Sequence, residues 1–169
     1  MGLYADLEIE NGEVLEVIDD TGINEGKLIA ALLCIYEYYI LNGKNSKEYD
    51  WFALFESKSN VDMRILTHIM YAYDDGQYEE ELNKYVADLW DKDPVSKEES
   101  TTRIRKKDRW GNIEEVITAV NEIVRILPTM EEVDYYYVKE DTYPAFISLQ
   151  AVLQRALSEG AKRVRLHFE

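Results

Sequence analysis

Cysteine, histidine, proline and positive charge are all scarce in this chain, and each shortage removes a class of explanation. A single cysteine, Cys34, stands among 169 residues. No internal disulfide can form, and its setting in "AALLCIYEYY" suits a small buried hydrophobe in a reducing compartment. The two histidines, His68 and His167, are far apart, and with one thiol they supply neither of the His/Cys patterns that zinc requires. No stretch reaches the roughly 20 apolar residues that span a bilayer. The opening "MGLYADLEIE" is acidic and lacks a long apolar core, so no signal peptide is expected. Asp6 occupies the place where a myristoylation signal needs Ser or Thr. The expected setting is cytoplasmic, and the host cytoplasm if the chain is phage-encoded.

Signatures of catalysis are equally thin. The stretch "EVIDDTGINEGKLIAAL" passes through Gly22 and Gly26-Lys27 toward a helix, but three residues separate the glycines where a phosphate-binding loop needs four. Leu28 replaces the magnesium-binding Ser or Thr, and Asp19, Asp20 and Glu25 would repel a phosphate. Asp88, Asp91 and Asp93 fail as a calcium loop, because Val95 takes a ligand position and Thr102 stands where the glutamate belongs. Asp50 with Glu56-Ser57-Lys58 has the residue types of a magnesium-dependent nuclease site. Such sites act from a strand-built edge, and the period around these residues is helical. No G-x-S-x-G elbow is present. No catalytic residue, metal ligand or cofactor is expected.

What the chain has is acid and tyrosine. Residues 1–94 hold 21 acidic and 7 basic residues, a net charge of −14, whereas residues 95–169 hold 13 and 12, a net of −1. An acidic first half repels nucleic acid and attracts basic protein surfaces. The 13 tyrosines and 3 tryptophans recur beside acids, in "IYEYYI", "KEYDWF", "YAYDDGQYEE" and "VDYYYVKEDTY". Tyrosine offers a large rigid contact with a hydrogen-bonding tip, and a neighbouring carboxylate can steer a basic partner.

Periodicity outlines the fold. Leu3, Ala5, Leu7 and Ile9 alternate with polar residues, and Asn11-Gly12 suits a two-residue type I′ turn before Val14, Leu15, Val17 and Ile18, so a hairpin is expected at 3–18. Helical spacing marks 24–41, 46–56, 61–73 and 77–90, with His68 half-buried in the third. Asn112 can cap a helix whose stripe is Ile113, Val116, Ile117, Val120, Val124 and Leu127, stopped by Pro128. A strand over 133–138, a helix with Pro144 in its first turn and Gly160 at its end, and a strand through Val164, Leu166 and Phe168 close the chain.

These elements predict one α+β domain over 1–169. Its small sheet combines the N-terminal hairpin with the C-terminal strand-helix-strand and is packed by several helices, and 94–111 forms a basic flexible loop or excursion. The expected function is that of an acidic protein-binding inhibitor occupying a basic site on a nucleic-acid-handling enzyme, as a phage anti-defence (anti-CRISPR) protein or a toxin immunity protein does. The expected contact residues are Tyr71, Tyr73, Asp74, Asp75, Tyr78, Glu79 and Glu80, with Asp134 and Tyr136. The partner would be a basic protein such as a nuclease, with no direct DNA or membrane binding and a homodimer as an option. Two other readings are a small carboxylate- and magnesium-dependent enzyme or nucleotide-binding protein, and an oligomeric scaffolding subunit.

Overall fold

The computed structural model describes residues 5–18, 22, 25, 26, 29, 33, 55–72, 110–130 and 139–168. The chain is an α+β protein built on a mixed sheet. Among the described residues its elements are β1 (Ala5–Ile9), β2 (Val14–Leu15), α1 (Ile65–His68), β3 (Met70–Ala72), β4 (Gly111–Asn112), α2 (Ile113–Ile126), α3 (Lys139–Ser158) and β5 (Arg163–Phe168). The strand order is β2-β1-β5-β3, and β4 also pairs with β5. β1 lies antiparallel to β5, with Leu7 opposite Leu166, while β3 runs parallel to it, with Met70 opposite Leu166.

The expected hairpin forms, but its loop is longer than a two-residue type I′ turn. Leu7 faces Leu15 and Glu8 faces Val14. Ile9 then donates to the Glu13 carbonyl at 2.8 Å, and the Gly12 amide donates to the Ile9 carbonyl at 2.9 Å. Glu10, Asn11 and Gly12 therefore form a three-residue loop in which Gly12 takes the left-handed conformation, φ +91°. Asn11 Oδ1 accepts from the Glu13 amide and holds the loop from within.

Alternation along β1 and β5 divides the sheet into two faces. Ala5, Leu7, Ile9, Val164 and Leu166 are buried on the core side. The core also takes Ile113, Val116, Ile117, Val120 and Ile123 of α2 and Ala145, Phe146, Leu149, Leu153 and Ala156 of α3. Helix α2 begins as its sequence predicts, with Asn112 Oδ1 accepting from the Glu114 and Glu115 amides. It ends at Ile126, where a short 3₁₀ turn (Leu127–Thr129) contains Pro128. Helix α3 ends in a Schellman motif: Gly160, φ +91°, donates to the Leu157 carbonyl, and Ala161 to the Ala156 carbonyl.

Three local expectations are corrected. Residues 61–73 are not one helix: a turn leads into the four-residue α1, and Met70–Ala72 then become strand. His68 consequently lies on the surface rather than half-buried. Pro144 sits inside α3, not in its first turn, because the helix already starts at Lys139. Gly111, the last residue of the predicted loop or excursion 94–111, is in β4 opposite Val164, and of the rest of that segment only Trp110 is described. The segments predicted at 77–90 and 133–138, Cys34, and most of 24–41, 46–56 and 94–111 lie outside the described residues. Within them, Gly26, Ile29, Leu33, Phe55 and Glu56 are helical, the last two in a helical stretch that runs on to Lys58, with Ile29, Leu33 and Phe55 buried.

Candidate partner-binding surface

Of the residues selected from sequence, Tyr71 lies in β3, at the register position beside His167 of β5. Tyr73, Asp74, Asp75, Tyr78, Glu79, Glu80, Asp134 and Tyr136 lie outside the described residues.

The described part contains a polar sheet face that the sequence reading passed over. Antiparallel pairing of β1 with β5 sets Asp6 against His167 and Glu8 against Arg165, and just beyond the strand Glu10 meets Arg163. Arg165 grips Glu8 with two bonds, Nε to Oε2 at 2.9 Å and Nη2 to Oε1 at 3.0 Å. This fork is the strong form of an arginine–carboxylate contact. The Trp110 ring stacks on the same guanidinium, 4.3 Å from its carbon to the ring centroid. His167 is buried, and its Nε2 atom and Asp6 Oδ1 are shut off from solvent. Along this row the acids of β1 thus stand opposite the basic side chains of β5, a cross-strand ladder.

The pattern was available in the chain: acids at positions 6, 8 and 10 of the first strand complement Arg163, Arg165 and His167 of the last. Reading each strand alone hid it.

Two further charged features flank α2. Glu122 Oε2 accepts from the Asn60 amide and lies within hydrogen-bond reach of the Ser59 hydroxyl, while Arg125 donates to Glu122 and to the Lys58 carbonyl. Together they pin residues 58–60 to the helix. The hydrogen bond from Arg125 holds the Glu122 carboxyl below its ordinary pKa, and Glu122 in turn raises that of Arg125. At the other end, a cleft of about 560 Å³ lies between 61–68 and the start of α2, with Val61 and Ile65 among its apolar lining and Asp62, Glu114 and Glu115 among its acids. Hydrogen bonds from the Arg64 guanidinium pull the Asp62 carboxyl down to about 2.

Among the described residues no group of three or more His, Cys, Asp or Glu side chains is placed to hold a metal ion, and no helix is long and apolar enough to cross a membrane. No family model, characterised protein or solved structure matches the chain.

Proposed function

We propose that this protein is an acidic protein-binding inhibitor that occupies a basic site on a nucleic-acid-handling enzyme, in the manner of a phage anti-defence protein or a toxin immunity protein. The observation that carries the reading is the pairing of the arginines. All five arginines among the described residues, Arg64, Arg125, Arg155, Arg163 and Arg165, are held in ion pairs with carboxylates of their own chain. Exposed Glu13, Glu16, Glu114 and Glu115 then present the acid surplus outward, and the first half of the chain adds a net −14. Such a surface repels nucleic acid and accelerates encounter with a basic protein. The acid and tyrosine cluster of Tyr71, Tyr73, Asp74, Asp75, Tyr78, Glu79 and Glu80, with Asp134 and Tyr136, supplies the contact in this reading. The partner is a basic nuclease or a related enzyme.

The test is functional. The immobilised protein should capture a stoichiometric basic partner from a native lysate of its source cells. The soluble protein should then suppress that partner's nucleic-acid binding or cleavage at a ratio near one to one. Capture without suppression rejects the inhibitor. Self-association alone favours a scaffold, and metal-dependent turnover by the isolated chain favours an enzyme.

A further inference from the structure

The outer edge of β2 is a second surface, independent of the tyrosine-rich cluster. The bond from the Ile9 amide to the Glu13 carbonyl makes those residues a hydrogen-bonded pair. The next pair, Glu8 opposite Val14, is then of the non-bonded kind, so the Val14 N–H and C=O point away from β1. No described residue bonds them. From Val14 to Ile18 the side chains alternate: Leu15 and Val17 are buried, while Val14 and Ile18 are 45% and 44% exposed. Exposed Glu16 stands between those two. Val14 and Ile18 are two of the four large apolar side chains exposed among the described residues. At Val14 an open backbone edge therefore lies beside an apolar, acidic, apolar stripe, and it closes at Val17, whose carbonyl accepts from the Glu25 amide at 2.8 Å.

Charge decides what can lie there. Glu10 is held by Arg163, but neither Glu13 nor Glu16 has an ion pair among the described residues. Two copies pairing through β2 would crowd the Glu13 and Glu16 carboxylates of both chains onto one short ladder, and like charges across a ladder are destabilising. The edge is thus defended against a second copy. The same carboxylates favour lysine or arginine. Beside Glu13 the edge opens on a cleft of about 360 Å³ between the hairpin loop and the Gly160 turn.

We propose that the β2 edge at 13–16 receives, by strand addition, an extended segment of a partner protein whose residues facing Val14, Glu16 and the exposed Ile18 side chain alternate apolar, basic, apolar. Backbone bonds to Val14 supply attachment, and the lysine or arginine opposite Glu16 supplies selectivity. The inference goes beyond the inhibitor reading and stands without the tyrosine-rich cluster.

A capped peptide, Thr-Val-Thr-Lys-Thr-Val-Thr, titrated into the isotope-labelled full-length protein at low salt tests it. Hydrogen exchange at the Val14 amide should slow by about tenfold at saturation, as it does for a donor newly bonded. Replacing the peptide's Lys by Glu should weaken binding about fivefold, the size of one cross-strand charge reversal, and Glu16→Lys should invert the order of the two peptides. Val14→Pro removes the outward N–H and leaves the pairs on either side intact, so it should abolish binding. Should that variant not fold, a peptide N-methylated at the residues that would bond Val14 makes the same test on the native chain. No binding, binding with Val14 exchange unchanged, or shifts scattered over the acidic surface would each overturn the proposal.

Discussion

The two faces of the sheet share their strands and differ in what they contribute. On the core side, Leu7 and Leu166 face each other fully buried beneath α2 and α3. Apolar burial contributes about 25 cal/mol per Å² removed from water, so most of the stabilisation belongs to this side. On the other side, one residue along, Glu8 meets Arg165 and Asp6 meets His167. The Arg165 and Glu8 side chains are only 15% and 17% exposed, so desolvation offsets much of their attraction, yet a one-residue slip of β1 would turn its carboxylates into the core. One face supplies stability and the other enforces register.

Truncating the core should cost most. Phe146 is 0% exposed, and Phe146→Ala should destabilise by about 3–5 kcal/mol, the usual range for deleting a buried ring. Urea denaturation measures it, and a loss below about 1 kcal/mol would mean that α3 does not pack as described. Overfilling should come next. A Cβ at Gly111 would sit 2.5 Å from Ile69 Cγ2 and 3.2 Å from Val116 Cγ2, so Gly111→Ala should cost about 1–3 kcal/mol. Adding Ile69→Val, which keeps Cγ2 or its equivalent, should rescue less than Ile69→Ala.

The polar face should respond differently. Glu8→Ala leaves Arg165 half-buried with its carboxylate gone and should cost about 2 kcal/mol, whereas replacing both Glu8 and Arg165 by methionine should cost less than the sum of the single changes. Additive losses would remove the case for coupling across β1 and β5.

The smallest effect belongs to Asp62, which lies off the sheet. Its folded pKa is lowered from 3.8 to about 2, so its contribution is present above pH 3.8 and is lost as pH falls toward 2. With both partners more than half exposed, solvent screening should limit it to a few tenths of a kcal/mol. An NMR titration of the Asp62 carboxyl gives the pKa, and Arg64→Gln should bring it back toward 3.8.

The same division explains how much of the molecule was legible beforehand. The hairpin and α2 carry their periods and end signals in contiguous residues, and both are where they were expected. β3 carried no such signal: Met70, Tyr71 and Ala72 continue an apolar run of helical spacing, and only pairing with β5 makes them strand. Proline is common in a first helical turn and so marks 144 as a helix start, but α3 extends further toward the N-terminus and Ser148 Oγ donates to the Pro144 carbonyl within it. The charge ladder of the polar face is written in two strands more than 150 residues apart. No local period can connect them. For the proposed contact surface only Tyr71 has a described position, so composition rather than geometry supports it.

The most direct measurement is the association rate of the captured basic partner with the native protein and with Asp75→Lys/Glu79→Lys, across a range of salt. The predicted result is a rate that falls steeply with salt for the native chain and is about tenfold or more lower at low salt for the variant, with the melting temperature nearly unchanged. A variant that associates as fast as the native protein at every salt concentration would contradict the account.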